Sequence, residues 1–196
     1  MALTKVRTGG IDAGAVTNTE VNASAAIVAT KLGTLGTANM PTGSVLQVLS
    51  AKKTASQSVS NEDSFVDISG LSIAITPRAT GSKIFVACNV SHSSTQNASG
   101  ISFKVLRDST VLGGSEGSRT SVSFFGGPVA SDNNMAQTAG FNYLDSPSST
   151  SALTYKVQTT LFNSGQTMYI NTNLSRGGQI YDDVATSSIT VMEVQG

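Results

Sequence analysis

The sequence predicts an all-β protein: an antiparallel β-sandwich of about ten short strands, jelly-roll-like in organisation, preceded by an extended or short-helical N-terminal arm. Three observations predict it. From residue 44 to the last residue, short runs alternate apolar and polar side chains, the period of a strand with one buried face. Gly, Ser, Asn and Asp separate those runs, and no convincing helical period interrupts them. The chain also changes character near Met40-Pro41-Thr42-Gly43, before which small residues dominate and aromatic or bulky ones are almost lacking. The organisation expected is an arm over 1–32, a Gly/Pro linker over 33–43 and the sandwich over 44–196.

Taken in order, the arm comes first. Thr17-Asn18-Thr19-Glu20 has capping-box spacing, Val21, Ala25, Val28 and Leu32 recur at helical intervals, and Gly33 stands where a helix-ending glycine belongs. A helix there would be short enough to be marginal alone in water. The other reading is an extended strand-and-turn arm, in which Ile11, Val16 and Val21 recur among Gly and Thr. Either way Val21, Ala25, Ile27, Val28 and Leu32 need another chain or the body to bury against, and they are the candidate anchoring and oligomer contacts. A disordered leader is the plain alternative. Gly33, Gly36, Pro41 and Gly43 then break whatever precedes them.

Strand signals follow at 45–49, 64–68, 71–75, 83–90 and 101–106. In the last of these Ile101, Phe103 and Val105 share one face, and Arg107-Asp108-Ser109-Thr110 reads as a hairpin turn into Val111 and Leu112. Later runs lie at 121–124, 139–143, 153–161, 168–170 and 188–194. The first and last runs both read as core-facing, which favours jelly-roll topology over other sandwiches.

Composition narrows the function. Twelve basic and twelve acidic residues cancel, so no basic footprint for nucleic acid or an anionic membrane exists. Nothing apolar is long enough to insert in a bilayer, and no apolar run follows the first cations, so no signal peptide is expected. A single cysteine rules out an intramolecular disulfide framework. The expectation is a chain assembled in the cytoplasm of its host.

No motif announces a chemistry. Cys88 and His92 are the single cysteine and histidine; on a strand they lie about 13 Å apart, too far for a nucleophile and its base. No metal, cofactor or catalytic residue is assigned. Asp182-Asp183 reads as a solvated turn rather than half a Ca²⁺ site, and Gly113-Gly114, Gly126-Gly127 and Gly177-Gly178 as turns. Asn-X-Ser/Thr triplets such as those at Asn22, Asn97 and Asn173 are expected by chance in so hydroxyl-rich a chain. The weakly patterned stretch 113–134 offers a candidate recognition loop with Arg119, Phe125, Asn133 and Asn134, one of Phe124 and Phe125 being expected in the core. Asp108, Glu116, Asp132 and Asp145 fall in predicted turns, and a glycan-cleaving pair would require two of them to converge.

Met1-Ala2-Leu3-Thr4-Lys5-Val6, the following Ile11-Asp12-Ala13-Gly14-Ala15-Val16 and residues 21–32 resemble the leader of tail-fibre-like virion proteins of tailed bacteriophages, including those of cyanobacteria and marine bacteria. Residues 43–48, 71–90 and 188–193 are similar to their terminal β domains, while about 110–150 matches nothing familiar. The resemblance implies a homotrimeric, non-enzymatic virion component with a jelly-roll domain related to TNF and C1q heads. Its partners would be other virion proteins of tail or capsid, and a host surface glycan or protein. No long shaft is present, which raises the alternative of a capsid decoration protein. A lectin-like module or depolymerase is the reading from another class.

Charged replacements at Val21, Ala25 and Leu32 are expected to weaken the trimer or its seat; an unchanged mass by light scattering together with unchanged particle loading would refute the anchoring role.

Overall fold

Alternating segments pair where their apolar sides can face a common core. The computed structural model describes residues 36, 39–61, 63–95, 100–114, 117, 120–126, 136–162, 165–173 and 184–196. The chain divides into two units, Met1–Gly36 and Thr37–Gly196, and apart from Gly36 the described residues belong to the second. They form β1 (Val45–Lys53), β2 (Gln57–Val59), β3 (Val66–Ile75), β4 (Lys83–Ser94), β5 (Ser102–Arg107), β6 (Thr110–Leu112), β7 (Phe124–Phe125), β8 (Gln137–Asp145), β9 (Leu153–Thr160), β10 (Met168–Ile170) and β11 (Ser187–Val194). No α-helix occurs among the described residues.

Two antiparallel sheets result. The first runs β1, β11, β4, β8, with β10 continuing the β11 side of β4 and β2 beside β10. The second runs β3, β9, β5, with β6 and β7 both on the free side of β5. The pairings nest: β1 with β11, β3 with β9, β4 with β8, β5 with β6. Nested antiparallel pairs that alternate between two sheets are one long hairpin rolled up, which is jelly-roll topology.

The expected strands are present with altered limits. The runs at 64–68 and 71–75 are one strand, β3, carrying a bulge between Asp67 and Ser72. Gly70 makes that possible: its φ of +85° is costly for a residue with a Cβ, and Lys53 packs against it. The strand expected at 121–124 shrinks to Phe124–Phe125, because Ser121 and Val122 precede its pairing with β5. The segment β2 is too short to have shown a period. The expectation that the first run faces the core is corrected. β1 is an edge strand whose Val45, Val48 and Leu49 stay exposed, whereas β11 buries every second residue between two neighbours.

The core lies between the sheets. Ile84, Val86, Cys88 and Val90 of β4 and Ile189 and Val191 of β11 meet Leu71, Ile75, Phe103, Val105, Tyr155 and Val157 from the opposite sheet. The expected shared face of Ile101, Phe103 and Val105 is wholly buried. At the Arg107–Thr110 turn Asp108 takes a φ of +53°, accepts the Thr154 N–H on Oδ1 at 2.9 Å and donates its own N–H to the Thr154 carbonyl at 2.7 Å.

Both sheets are clamped at one end by a polar trio. Arg107 Nη1 donates to both Asp145 oxygens at 2.7 Å, and the buried Tyr155 hydroxyl donates to Oδ2 at 2.7 Å. Burial raises the Tyr155 pKa, and its hydrogen bond to Asp145 raises it further. Burial alone would lower the Arg107 pKa, but the Asp145 hydrogen bond and charge leave it raised. Tyr155→Phe is expected to lose about 1–3 kcal/mol of stability and Asp145→Ala about 3–5 kcal/mol, since the latter strands a half-buried guanidinium; urea unfolding of both variants checks the order.

Candidate functional site

The sandwich is polar along its long axis. At one end the chain enters, and Gly43 N–H donates to the Gln195 carbonyl while Gln195 N–H donates to that of Ser44, each at 2.8 Å. The turns after β3, β5 and β8 share that end, and one of them is held by Glu193. This buried carboxylate accepts the Arg78 N–H at 2.7 Å and the Gln47 amide at 2.6 Å. The links from β2 to β3, β4 to β5, β7 to β8 and β9 to β10 all leave from the opposite end.

That far end carries the described part of the expected recognition loop. Phe125 is 70% exposed on the outward side of β7. Phe124 turns inward and stacks on Phe103 at 4.7 Å and on Phe141 at 5.8 Å, and Phe141 stacks on Tyr143 at 5.8 Å. One phenylalanine is core and the other open, because adjacent residues of a strand face opposite sides. Phe162, not singled out from the sequence, is a second exposed aromatic near the same end, against Gly100. Arg119, Asn133 and Asn134 lie outside the described residues, as do Val21, Ala25, Ile27, Val28 and Leu32 of the arm, the helix-or-strand question over 17–32, and Glu116, Asp132, Asp182 and Asp183.

The placing of Asp145 in a turn is corrected: it closes β8, buried, with its oxygens committed to Arg107 and Tyr155. Asp108 does lie in a turn, where it organises Thr154. Asn173, from one glycosylation-type triplet, is buried. Among the described residues no group of three or more His, Cys, Asp or Glu is placed to hold a metal.

Cys88 and His92 both lie on β4 and both are buried. Burial pushes the Cys88 thiol up to about 12, with the Phe141 backbone pulling weakly the other way. Such a thiol is packing, not a nucleophile. His92 sits at 5.4 Å from the Phe103 ring, and neither of its nitrogens has a well-formed hydrogen bond among the described residues. Gly126 passes so close beneath it that an added Cβ would lie 2.9 Å from Cε1 and 2.6 Å from Ile101 Cγ2. Burial holds the His92 pKa down to about 4, the Gly126 backbone opposing weakly.

The two outer faces differ in kind. On the second sheet Asp67 pairs with Lys156 at 3.0 Å and accepts the Gln158 amide at 2.7 Å, and Lys104 lies 3.7 Å from the centre of the Phe65 ring. On the first sheet one apolar row crosses all four strands in register: Val48 opposite Met192, Met192 opposite Phe85, Phe85 opposite Leu144. Its end members remain exposed, Val48 at 53% and Leu144 at 51%. Val45 opposite Val194 adds to the same patch. Sequence reading missed this row, because its members come from four distant segments.

No protein-family model matches the chain, and no curated protein matches it. Among solved structures it is similar to chains in "Structure of infectious bursal disease virus Gt strain", with a TM-score of 0.42, 11% identity, and coverage of 76% of this chain and 42% of that one. A chain of the Gx strain gives a TM-score of 0.40 at 11% identity over 75% of this chain and 39% of that one. A chain of the crystal structure of the VP2 subviral particle of the same virus gives 0.37 at 14% identity over 76% and 41%. The chain thus spans about two-fifths of those chains. The topology above rests on the strand pairings alone.

His92 gives the domain an acid sensitivity with a definite sign. Its folded pKa lies below the ordinary 6.5, so the stabilisation is complete above pH 6.5 and is lost as pH falls toward about 4. Between pH 7.5 and 5.0 the wild type is expected to lose about 2 kcal/mol more than His92→Leu in urea unfolding; equal losses would refute the assignment.

Proposed function

We propose that this chain is a non-enzymatic structural protein of a virion, and specifically a homotrimeric fibre- or spike-like component of a tailed bacteriophage. Residues 1 to about 40 anchor it, and the sandwich points outward. The observation that supports this reading is the polarity of the domain. The chain enters beside Gln195 at one end, while four interstrand links and the exposed Phe125 gather at the other. A protein attached by a leader and meeting something at its tip requires that separation. The leader's resemblance to those of phage fibres points the same way.

The far end is then the surface offered to a host glycan or protein. Exposed aromatic rings suit either, since a ring face stacks on sugar C–H groups and buries large area at low entropic cost. A capsid decoration protein has the same layout, and the arm joined to the sandwich through only residues 33–43 favours it as the second reading. Copy number per particle relative to the major shell protein separates the two.

Deleting residues 2–40 is expected to leave the sandwich folded by circular dichroism and to abolish incorporation into particles. Normal occupancy of the truncated protein on purified particles would remove the arm from the role of anchor.

A further inference from the structure

The apolar row on the first sheet needs an occupant. Its outward face presents Val45, Val48, Val194, Met192, Phe85 and Leu144 toward the end where the chain enters. Its charges are Lys52 and Lys83, both exposed, Lys52 at the far end of β1 and Lys83 at the entry end of β4 beside Val194, and no carboxylate stands on it because Glu193 points inward. The outer face of the other sheet, with its Asp67–Lys156 pair, is an ordinary wetted surface. A face four strands wide, with β1 nine residues long, covers about 550 Å² in projection. With its polar rows, Ser50, Thr190 and Asn142 among them, included, that whole face is of the order of the roughly 800 Å² each partner gives to a standard protein interface.

The distribution of exposure selects the kind of contact. The most exposed apolar side chains are not at the centre of the face but on its two edge strands: Val45 and Val48 on β1 and Leu144 on β8. These two patches cannot touch within one copy, since β11 and β4 lie between them. Two different apolar patches on opposite edges of one sheet suit head-to-tail contact, which closes into a ring, rather than a two-fold contact of one patch with itself. The central Met192 and Phe85 are half-buried already and need only a light cover. The lysines, at opposite ends of the face, stay at the rim and hydrated.

We infer that the outer face of the first sheet is where copies of this chain close a ring, the β8 edge of one copy packing on the β1 edge of the next. Leu144 meets Val45 and Val48, and Met192 and Phe85 face the ring axis. The number of copies, three, rests on the trimeric reading above; the face itself does not.

The test is the mass of the full chain in solution by sedimentation velocity at about 10 μM, for wild type, Val48→Asp, Leu144→Asp and the double variant, with Ser72→Asp on the other sheet as control. Wild type and control are expected at three times 20.1 kDa. Each single variant should weaken association at least tenfold, and the double variant should run as a monomer with unchanged circular dichroism. Hydrogen exchange of the wild type adds a measurement without mutation: amides of β1 and β8 should slow on going from nanomolar to micromolar protein. A double variant with wild-type mass overturns the inference, and so does a wild type that is monomeric, including one that covers this face only with another particle protein. Particle loading of the wild type is scored separately. Wild-type loading with an intact oligomer in the double variant refutes the face and keeps the virion reading; a wild type that associates but fails to load, with a dissociated double variant, does the reverse.

Discussion

The rest of this structure depends on the register of β4 between its neighbours. It is the longest strand, and it pairs with β11 and β10 on one side and β8 on the other. Its inward residues Ile84, Val86, Cys88 and Val90 are completely or almost completely buried. A slip of one residue would turn these out and bring Lys83, Phe85, Ala87 and Asn89 in. The same register places Phe85 between Met192 and Leu144 on the outside, so one pairing decides both what is core and which apolar side chains line the outer face.

Closing the roll leaves two kinds of unfinished boundary, and each is handled differently. Toward the chain-entry end the sheets are stitched by polar groups that reach across: Asp145 of β8 to Arg107 and Tyr155 of the other sheet, and Glu193 to the Arg78 backbone. Along the side where β8 faces β7, the aromatic series Phe103, Phe124, Phe141 and Tyr143 fills the gap between edge strands. Flat rings span an opening that aliphatic side chains would leave partly empty, and they do so without polar groups that need partners.

The far end combines tight packing inside with openness outside. Gly126, without a Cβ, lets the backbone lie against His92 and Ile101, and the residue just before it, Phe125, is exposed. A rigid buried floor under an exposed aromatic is a sound physical basis for a contact surface, because the ring is held on a strand rather than on a free loop. The neutral His92 beneath it costs stability only when acid forces a charge into that floor.

The sequence by itself determined most of the strand segments though not β2, that the body is an all-β sandwich, that Ile101, Phe103 and Val105 share a buried face, and that Arg107 to Thr110 turns the chain. Each follows from a period of two or from turn chemistry, which are local properties. It also separated one core phenylalanine from one open one, though not which was which. Only the tertiary structure decided that β1 is an edge, that residues 66–75 form one bulged strand, that Asp145 is a buried clamp rather than a surface acid, and that Val48, Met192, Phe85 and Leu144 line up. The reason is common to all four. Alternation states that a strand has two faces, but which neighbour each side meets is set by pairings between segments far apart in the chain, and no local pattern encodes those.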